Sequence, residues 1–380
     1  MSLALQTALQ CVANRAADLL AESVRIAEIP APPFAEAERS AYIARRFREI
    51  GLQEVTVDDL GNVTGRRPGP EGSPRVLVAS HMDTVFPAGT DVKVRVEGDI
   101  AYGPGIRDNS SAVANLINLV PVLDEADLAL PCDLIVASCV GEEGLGDLRG
   151  IRRLMETWKG RVDAVIAYDG EFGGVVYGGV GSRRLRITYS APGGHSFGDF
   201  GAASAVHGLA LACSRFAQIA VPTEPKTTLN VGTFHGGSSV NAIAEEASAV
   251  IDMRSVGQDA LTDLYSKAVA IFEQTAVETG CRLQVAEVGN RPGGLIPQDH
   301  PLARLAAGVV REMGAQPRFS VSSTDANIPL SQGVPAICIG AGNGGGVHTL
   351  REYLNIPSLV PGLQMLVRVL AGLDWSAVRA

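Results

Sequence analysis

His81 and Asp83 stand two residues apart at the end of the apolar run Arg75-Val-Leu-Val-Ala-Ser80, and they open a set of side chains suited to metal chemistry. The others are Asp108 before Asn109, Glu142 and Glu143 between Gly141 and Gly144, Asp169 after Tyr168, and His348 after the glycine run that ends at Gly346. Zinc takes imidazole nitrogen and carboxylate oxygen together, and a catalytic zinc keeps a position open for water or substrate. With Asp108 bridging, His81 and Asp169 would complete the ligands of one ion, and Glu143 and His348 those of another. Such ions lie about 3.5–4 Å apart and share a water whose pKa they lower. Glu142, directly before a ligand, can face that water as general base and later acid. Asp83 lies on the same side of an extended segment as His81 and can orient its imidazole.

Placement matters more than presence. Four apolar runs end at these residues: Arg75 to Ser80 at His81, Leu134 to Val140 at the glutamates, Ala164 to Tyr168 at Asp169, and Pro335 to Gly340 at the glycine loop before His348. Short β-rich runs with helical stretches between them read as buried strands of an α/β sheet flanked by helices, whose ligand sites lie at the strand carboxyl ends. After Gly178-Gly-Val-Gly181 the pattern changes. A strand-like Leu185 to Ser190, a helical Ala202 to Ala220, strand-like Thr227 to Phe234 and Ala247 to Arg254, an amphipathic helix from Asp259 to Thr279 and a last strand at Arg282 to Val288 suggest a small α+β sandwich of its own. Asn290-Arg-Pro-Gly-Gly294 marks the return.

These motifs in combination resemble the zinc-dependent exopeptidase and deacylase family that includes peptidase T, glutamate carboxypeptidase, Xaa-His-type dipeptidases, acetylornithine deacetylase and aminoacylase. The resemblance runs from about Asp18 to the C-terminal helix. It implies a zinc-exopeptidase-like catalytic domain in two pieces, 1–181 and 294–380, with a central mixed sheet, and an inserted lid and dimerisation domain at 182–293. It also implies two zinc ions per subunit, with cobalt or manganese as substitutes, and a homodimer formed through the lid. The family's lid histidine, which reaches the substrate carbonyl and often does so from the partner subunit, matches His195 in Gly193-Gly-His-Ser196. Its substrate-binding asparagine and arginine match Asn241 and Arg254, the latter gripping a carboxylate.

Two departures bear on substrate. Asp108 is followed by Asn109-Ser-Ser-Ala112 where the family has a basic, glycine-containing continuation, and His195 by Ser196-Phe-Gly-Asp199 where it has a small residue, glycine and proline. Family members that cleave from the amino end tend to carry Asp at position 169 and deacylases Glu; Glu171 is the rival ligand. Short peptides are therefore the expected substrates, with carboxypeptidase action or N-acyl amino acid hydrolysis as the alternative on the same site.

The net charge of −9 argues against a nucleic-acid partner. The stretch from Leu3 to Ile29 is broken by Arg15, Asp18, Glu22, Arg25 and Glu28 into an amphipathic helix too polar for a bilayer, so a cytoplasmic protein with no membrane partner is expected. Six cysteines without paired spacing read as buried thiols. A rival chemistry is written in Gly194-His-Ser196-Phe-Gly198, which matches a serine nucleophile elbow with Asp325 and His348 following in order. That reading leaves His81, Asp108, Glu142, Glu143 and Asp169 without a task. A non-catalytic metal-binding module is the third reading; loss of Glu142 or of a ligand would favour it, and neither is lost.

Overall fold

The computed structural model describes residues 2–374 and Val378. The chain divides into two compact units, residues 1–179 with 295–380 and residues 180–294.

In the first unit, four strands lie side by side and parallel in the order Asp133–Cys139, Arg75–His81, Ala164–Tyr168 and Ala336–Ile339. Val63–Arg67 and Gln53–Val57 extend the sheet antiparallel on one side. Gly174–Gly179 pairs antiparallel with Ala336–Ile339 on the other, and Arg318–Ser322 lies parallel to it. Every residue of the Asp133–Cys139 and Ala164–Tyr168 strands is buried, as continuous apolar runs require in a sheet covered on both faces. Helix Ser111–Glu125 is apolar nearly all round and is enclosed by helices Leu3–Asn14, Ala16–Ala27 and Leu359–Ala371. Because this helix starts just after Asp108, its burial pins the turn that carries the acid.

The N-terminal helix expected from Leu3 to Ile29 is two helices, Leu3–Asn14 and Ala16–Ala27. They part at Arg15, whose backbone leaves helical geometry and whose guanidinium reaches Glu125 at 2.9 Å. Among the described residues no helix is long and apolar enough to cross a membrane. All six cysteines are buried and unbridged.

The inserted unit is an antiparallel sheet in the order Thr227–Gly236, Glu246–Ser255, Gly181–Ser190 and Arg282–Arg291. Helices Ala205–Ala217 and Gln258–Thr279 cover one face. Alternate residues of the central strand, Ala247, Ala249, Ile251 and Met253, point into that core, where Phe216 and Phe272 meet at 5.8 Å. Gly280 ends the long helix in the left-handed conformation, at φ 68°.

One buried cation ties the first unit's helices to the strand that carries the site. Arg39 is 1% exposed and donates to the carbonyls of Met82 (2.7 Å), Ile29 (2.9 Å) and Ala27 (3.3 Å). Met82 sits between His81 and Asp83. Burial lowers the guanidinium pKa to about 10, against the pull of the Asp83 carboxylate, so the group remains charged at neutral pH. Arg39→Met leaves these carbonyls without donors and should cost about 2–4 kcal/mol, read as a lower urea midpoint at unchanged slope.

Candidate metal centre

The strand ends come out level: His81 is opposite Cys139, Ala79 opposite Ala167, and Tyr168 opposite Ile339. The chain leaves the Arg75–His81 strand toward a neighbour on one side and returns to one on the other. A crevice therefore opens at the carboxyl ends where successive connections diverge. His81, the Glu142–Glu143 pair and Asp169 all follow these ends.

Asp83, fully buried, holds two of them together. Its two oxygens accept the backbone N–H groups of Glu142 (3.0 Å) and Glu143 (2.8 Å). His81 Nδ1 lies 3.1 Å from the Asp83 carbonyl and 3.6 Å from its carboxylate, so the ring donates to the nearer carbonyl and turns Nε2 into the crevice.

Asp108 is shared between the two imidazoles. Its Oδ1 is 3.1 Å from His81 Nε2, and its Oδ2 is 3.2 Å from His348 Nε2. Asp169 approaches His81 Nε2 at 3.9 Å, and Glu143 approaches His348 Nε2 at 2.9 Å. Three donor triads have all their atoms within 4.8 Å of one another: His81, Asp108 and Asp169; Asp108, Glu143 and His348; and His81, Glu142 and Glu143. Glu171 is not among them; it is exposed and pairs with Arg318 at 3.1 Å.

The turn around Asp108 depends on residues that carry no motif. Glu352, 1% exposed, accepts the N–H groups of Gly105 (3.0 Å), Arg107 (2.9 Å) and Asp108 (2.9 Å). Burial first of all pushes its carboxyl up to about 7, against those three bonds. Asn109 ties the turn to two strands through Ser80 Oγ (3.0 Å) and the Tyr168 carbonyl (3.1 Å), which gives the departure after the bridging acid a structural task. No spacing rule flags Glu352; only its lying four residues beyond His348 hints at the site.

Electrostatics test whether these residues suit a metal pair. Asp83, Asp108, Glu142 and Glu143 are buried and Asp169 is half-buried. Two imidazolium groups offset two of the five carboxylates, and the Arg39 and Arg107 charges act on the others only from beyond ion-pair distance, so negative charge is in surplus. For His81, burial alone would lower the pKa, but Asp108, Asp83 and Asp169 raise it well above the usual value. Hydrogen bonding to Asp108 and Glu143 carries His348 up to about 10. Asp108 is held below the carboxylate range because His348 and His81 outweigh its burial, whereas burial and the Asp108 charge raise Asp169. A mixed N/O donor set with surplus negative charge fits two divalent cations sharing Asp108.

In the inserted unit, Gly194–His195 pairs antiparallel with Ala242–Ile243, which brings His195 beside Asn241. His195 Nδ1 accepts the N–H groups of Phe197 (3.2 Å) and Gly198 (3.1 Å), so its proton sits on Nε2. Asp199 accepts the His195 N–H at 2.7 Å. The unusual Ser196–Asp199 stretch is thus the turn that presents the ring. Ser196 is not at a strand-to-helix elbow, since the next helix begins only at Ala205, and His348 is engaged by Asp108 and Glu143. Arg254 is not brought to His195. It pairs with Ser182 at the other end of the central strand and donates to Asp252 at 2.7 Å.

A sheet-end crevice lined by imidazole and carboxylate donors is the kind of site a metal-dependent hydrolase uses. A sequence model of peptidase family M20/M25/M40 matches residues 77–372, and the chain belongs to that family. Its members are metal-dependent hydrolases acting on peptides or acylated amino acids, and this chain is such an enzyme. The chain is similar to YqjE of Bacillus subtilis, 23% identical over 367 residues that cover 93% of this chain and 97% of that protein. It is 26% identical over 323 residues to a putative succinyl-diaminopimelate desuccinylase, DapE, of Mycobacterium tuberculosis, covering 82% and 86% of the two chains. A tripeptidase from Staphylococcus aureus shares the fold with a TM-score of 0.81 at 24% identity, over 96% of this chain and 99% of that one.

The surrounding carboxylates favour the protonated forms of His81 and His348 in the metal-free protein, and an imidazole that binds metal must lose the added proton. Titrating the metal-free protein with zinc at pH 7 should therefore release about two protons, measured by calorimetry in buffers of different ionisation enthalpy. Release should fade as the pH approaches about 10. Zinc uptake without proton release contradicts this electrostatic picture.

Proposed function

We propose that this chain is a di-zinc exopeptidase that hydrolyses an amide bond of short peptides. The observation that carries the reading is the Asp108 carboxylate divided between His81 and His348, each with its own further acid, Asp169 or Glu143. When bound, two divalent ions supply Lewis acidity here, making a water acidic near neutral pH and drawing electron density from the scissile carbonyl.

The chain's own residues do the rest. Glu142 adjoins the ligand Glu143 and belongs to the triad with His81, so its carboxylate is within reach of a water in the crevice. It takes the water's proton and returns it to the leaving amine nitrogen. Asp83 holds Glu142 and Glu143 in register through their backbone N–H groups. His195, with its proton on Nε2, donates to the carbonyl oxygen as negative charge builds there.

The experiment compares two adjacent glutamates. Glu142→Gln should lower turnover of dipeptides and tripeptides about 10²–10⁴-fold while metal content stays at the wild-type value. Glu143→Gln should lose metal as well. The panel includes N-acyl amino acids, because the desuccinylase likeness favours that substrate class as the alternative; faster turnover of those would replace peptides as the substrate. Equal metal loss in both variants would remove Glu142 from the role of base.

Within the inserted unit, His195 and Arg254 sit near opposite ends of one strand. Eight residues separate Glu246 from Arg254, roughly 26 Å at ~3.3 Å per residue, more than a short peptide's reacting end spans. We infer a homodimer in which one copy's His195 serves the partner's site while Arg254 serves its own, since the two are too far apart within one inserted unit to meet one small reacting group together. Mixing inactive His195→Ala with inactive Glu142→Gln subunits should regenerate activity once heterodimers are seen by mass. Heterodimers without activity would rule out action in trans.

A further inference from the structure

Arg107 precedes the bridging acid, and its backbone is fully committed: its N–H donates to Glu352 at 2.9 Å and its carbonyl accepts Ser111 Oγ at 3.0 Å. Its guanidinium is not. Among the described residues it has no hydrogen bond or ion pair, and its Nε is shielded from solvent without a partner. Arg39, Arg149 and Arg318 by contrast are engaged, with three carbonyls, with Glu36 at 2.6 Å and with Glu171 at 3.1 Å. A shielded donor without an acceptor costs free energy, and here it belongs to a guanidinium that no acceptor among the described residues engages at any of its nitrogens.

Two glycines place the side chain. A Cβ on Gly344 would lie 3.1 Å from Arg107 Cγ, and one on Gly170 would lie 3.9 Å from Nη2. Gly170 follows Asp169, so the end of the guanidinium runs beside the acid that, with His81 and Asp108, forms one donor triad. Its charge opposes the protonation of both Asp108 and Asp169 without touching either at ion-pair distance. A planar fork of donors held in this way, next to the reacting centre, matches a carboxylate.

We propose that Arg107 is a substrate-binding residue that receives a carboxylate of the substrate close to the scissile amide. The inference rests on the reading of the site as an amide hydrolase and narrows its substrates to anionic ones. The carboxylate comes either from the free C-terminus or from an acidic side chain.

Zinc-loaded wild type, Arg107→Ala and Arg107→Lys are compared on three dipeptides: one with a free C-terminus, its C-terminal amide, and an amide bearing a glutamate side chain. Arg107→Ala should raise KM about 10- to 100-fold for whichever carboxylate is bound, leave the uncharged amide within threefold, and be partly rescued by Lys. Preference for the free acid identifies the terminus as the source, and preference for the glutamate amide identifies the side chain. A second arm needs no turnover. Calorimetry of the free acid and the uncharged amide binding to zinc-loaded Glu142→Gln, with and without Arg107→Ala, should show the same loss for the acid alone. The acid in this arm is whichever of the two carboxylate peptides binds the tighter. If wild type cleaves none of the three dipeptides, the peptidase reading fails while the binding arm still decides Arg107. Equal losses for charged and uncharged peptides, or metal loss in Arg107→Ala, overturn the proposal and make the residue a counter-charge for the ligand acids.

Discussion

Mutual repulsion among five carboxylates at one end of a parallel sheet governs this structure. Asp83, Asp108, Glu142, Glu143 and Asp169 converge where water is scarce, so each charge is expensive unless offset. The protein meets part of this cost with neutral donors: Asp83 takes two backbone N–H groups, and Glu352, just behind, takes three. The imidazoles of His81 and His348 meet another part. What remains is a deficit of positive charge, and a deficit framed by nitrogen and oxygen donors is a metal site.

That arrangement explains why so much of the surrounding backbone is pinned by buried polar side chains rather than by apolar packing. Arg39 fixes the segment through Met82, and Asn109 fixes the bridging-acid turn to the ends of two strands. Hydrogen bonds are directional, so they hold a carboxylate to a narrower set of positions than dispersion contacts could. The left-handed backbone at Gly105 serves the same end, because a Cβ there would stand 2.6 Å from Thr84 Cγ2.

The inserted unit solves a different problem. Its sheet and paired helices make an independent core, and its exposed turn presents an imidazole with a single defined tautomer. That tautomer is set by the turn's own hydrogen bonds, with no buried charge network around the ring among the described residues.

Much of this was legible in the chain. Apolar runs that end in His81, Glu142, Glu143 and Asp169 identify buried strands and put the chemistry at their carboxyl ends, because parallel strands with crossovers leave their crevice there. The order of strands and helices between Gly181 and Asn290 likewise marks a separate α+β piece, since period-2 and period-3.6 patterns alternate cleanly. Residue type and placement also singled out the candidate ligands, as types that suit zinc. They were silent on which oxygen meets which nitrogen. That Asp108 is divided between two imidazoles, that the Asp83 carbonyl rather than its carboxylate lies nearer the His81 ring, that Glu352 holds a loop some 245 residues earlier in the chain, and that Arg107 is left unpaired all depend on tertiary contacts. Hydrophobic periodicity is a local signal and survives in one dimension. Hydrogen-bond partners distant in sequence are chosen only when the sheet closes and the turns between its strands take their final shape.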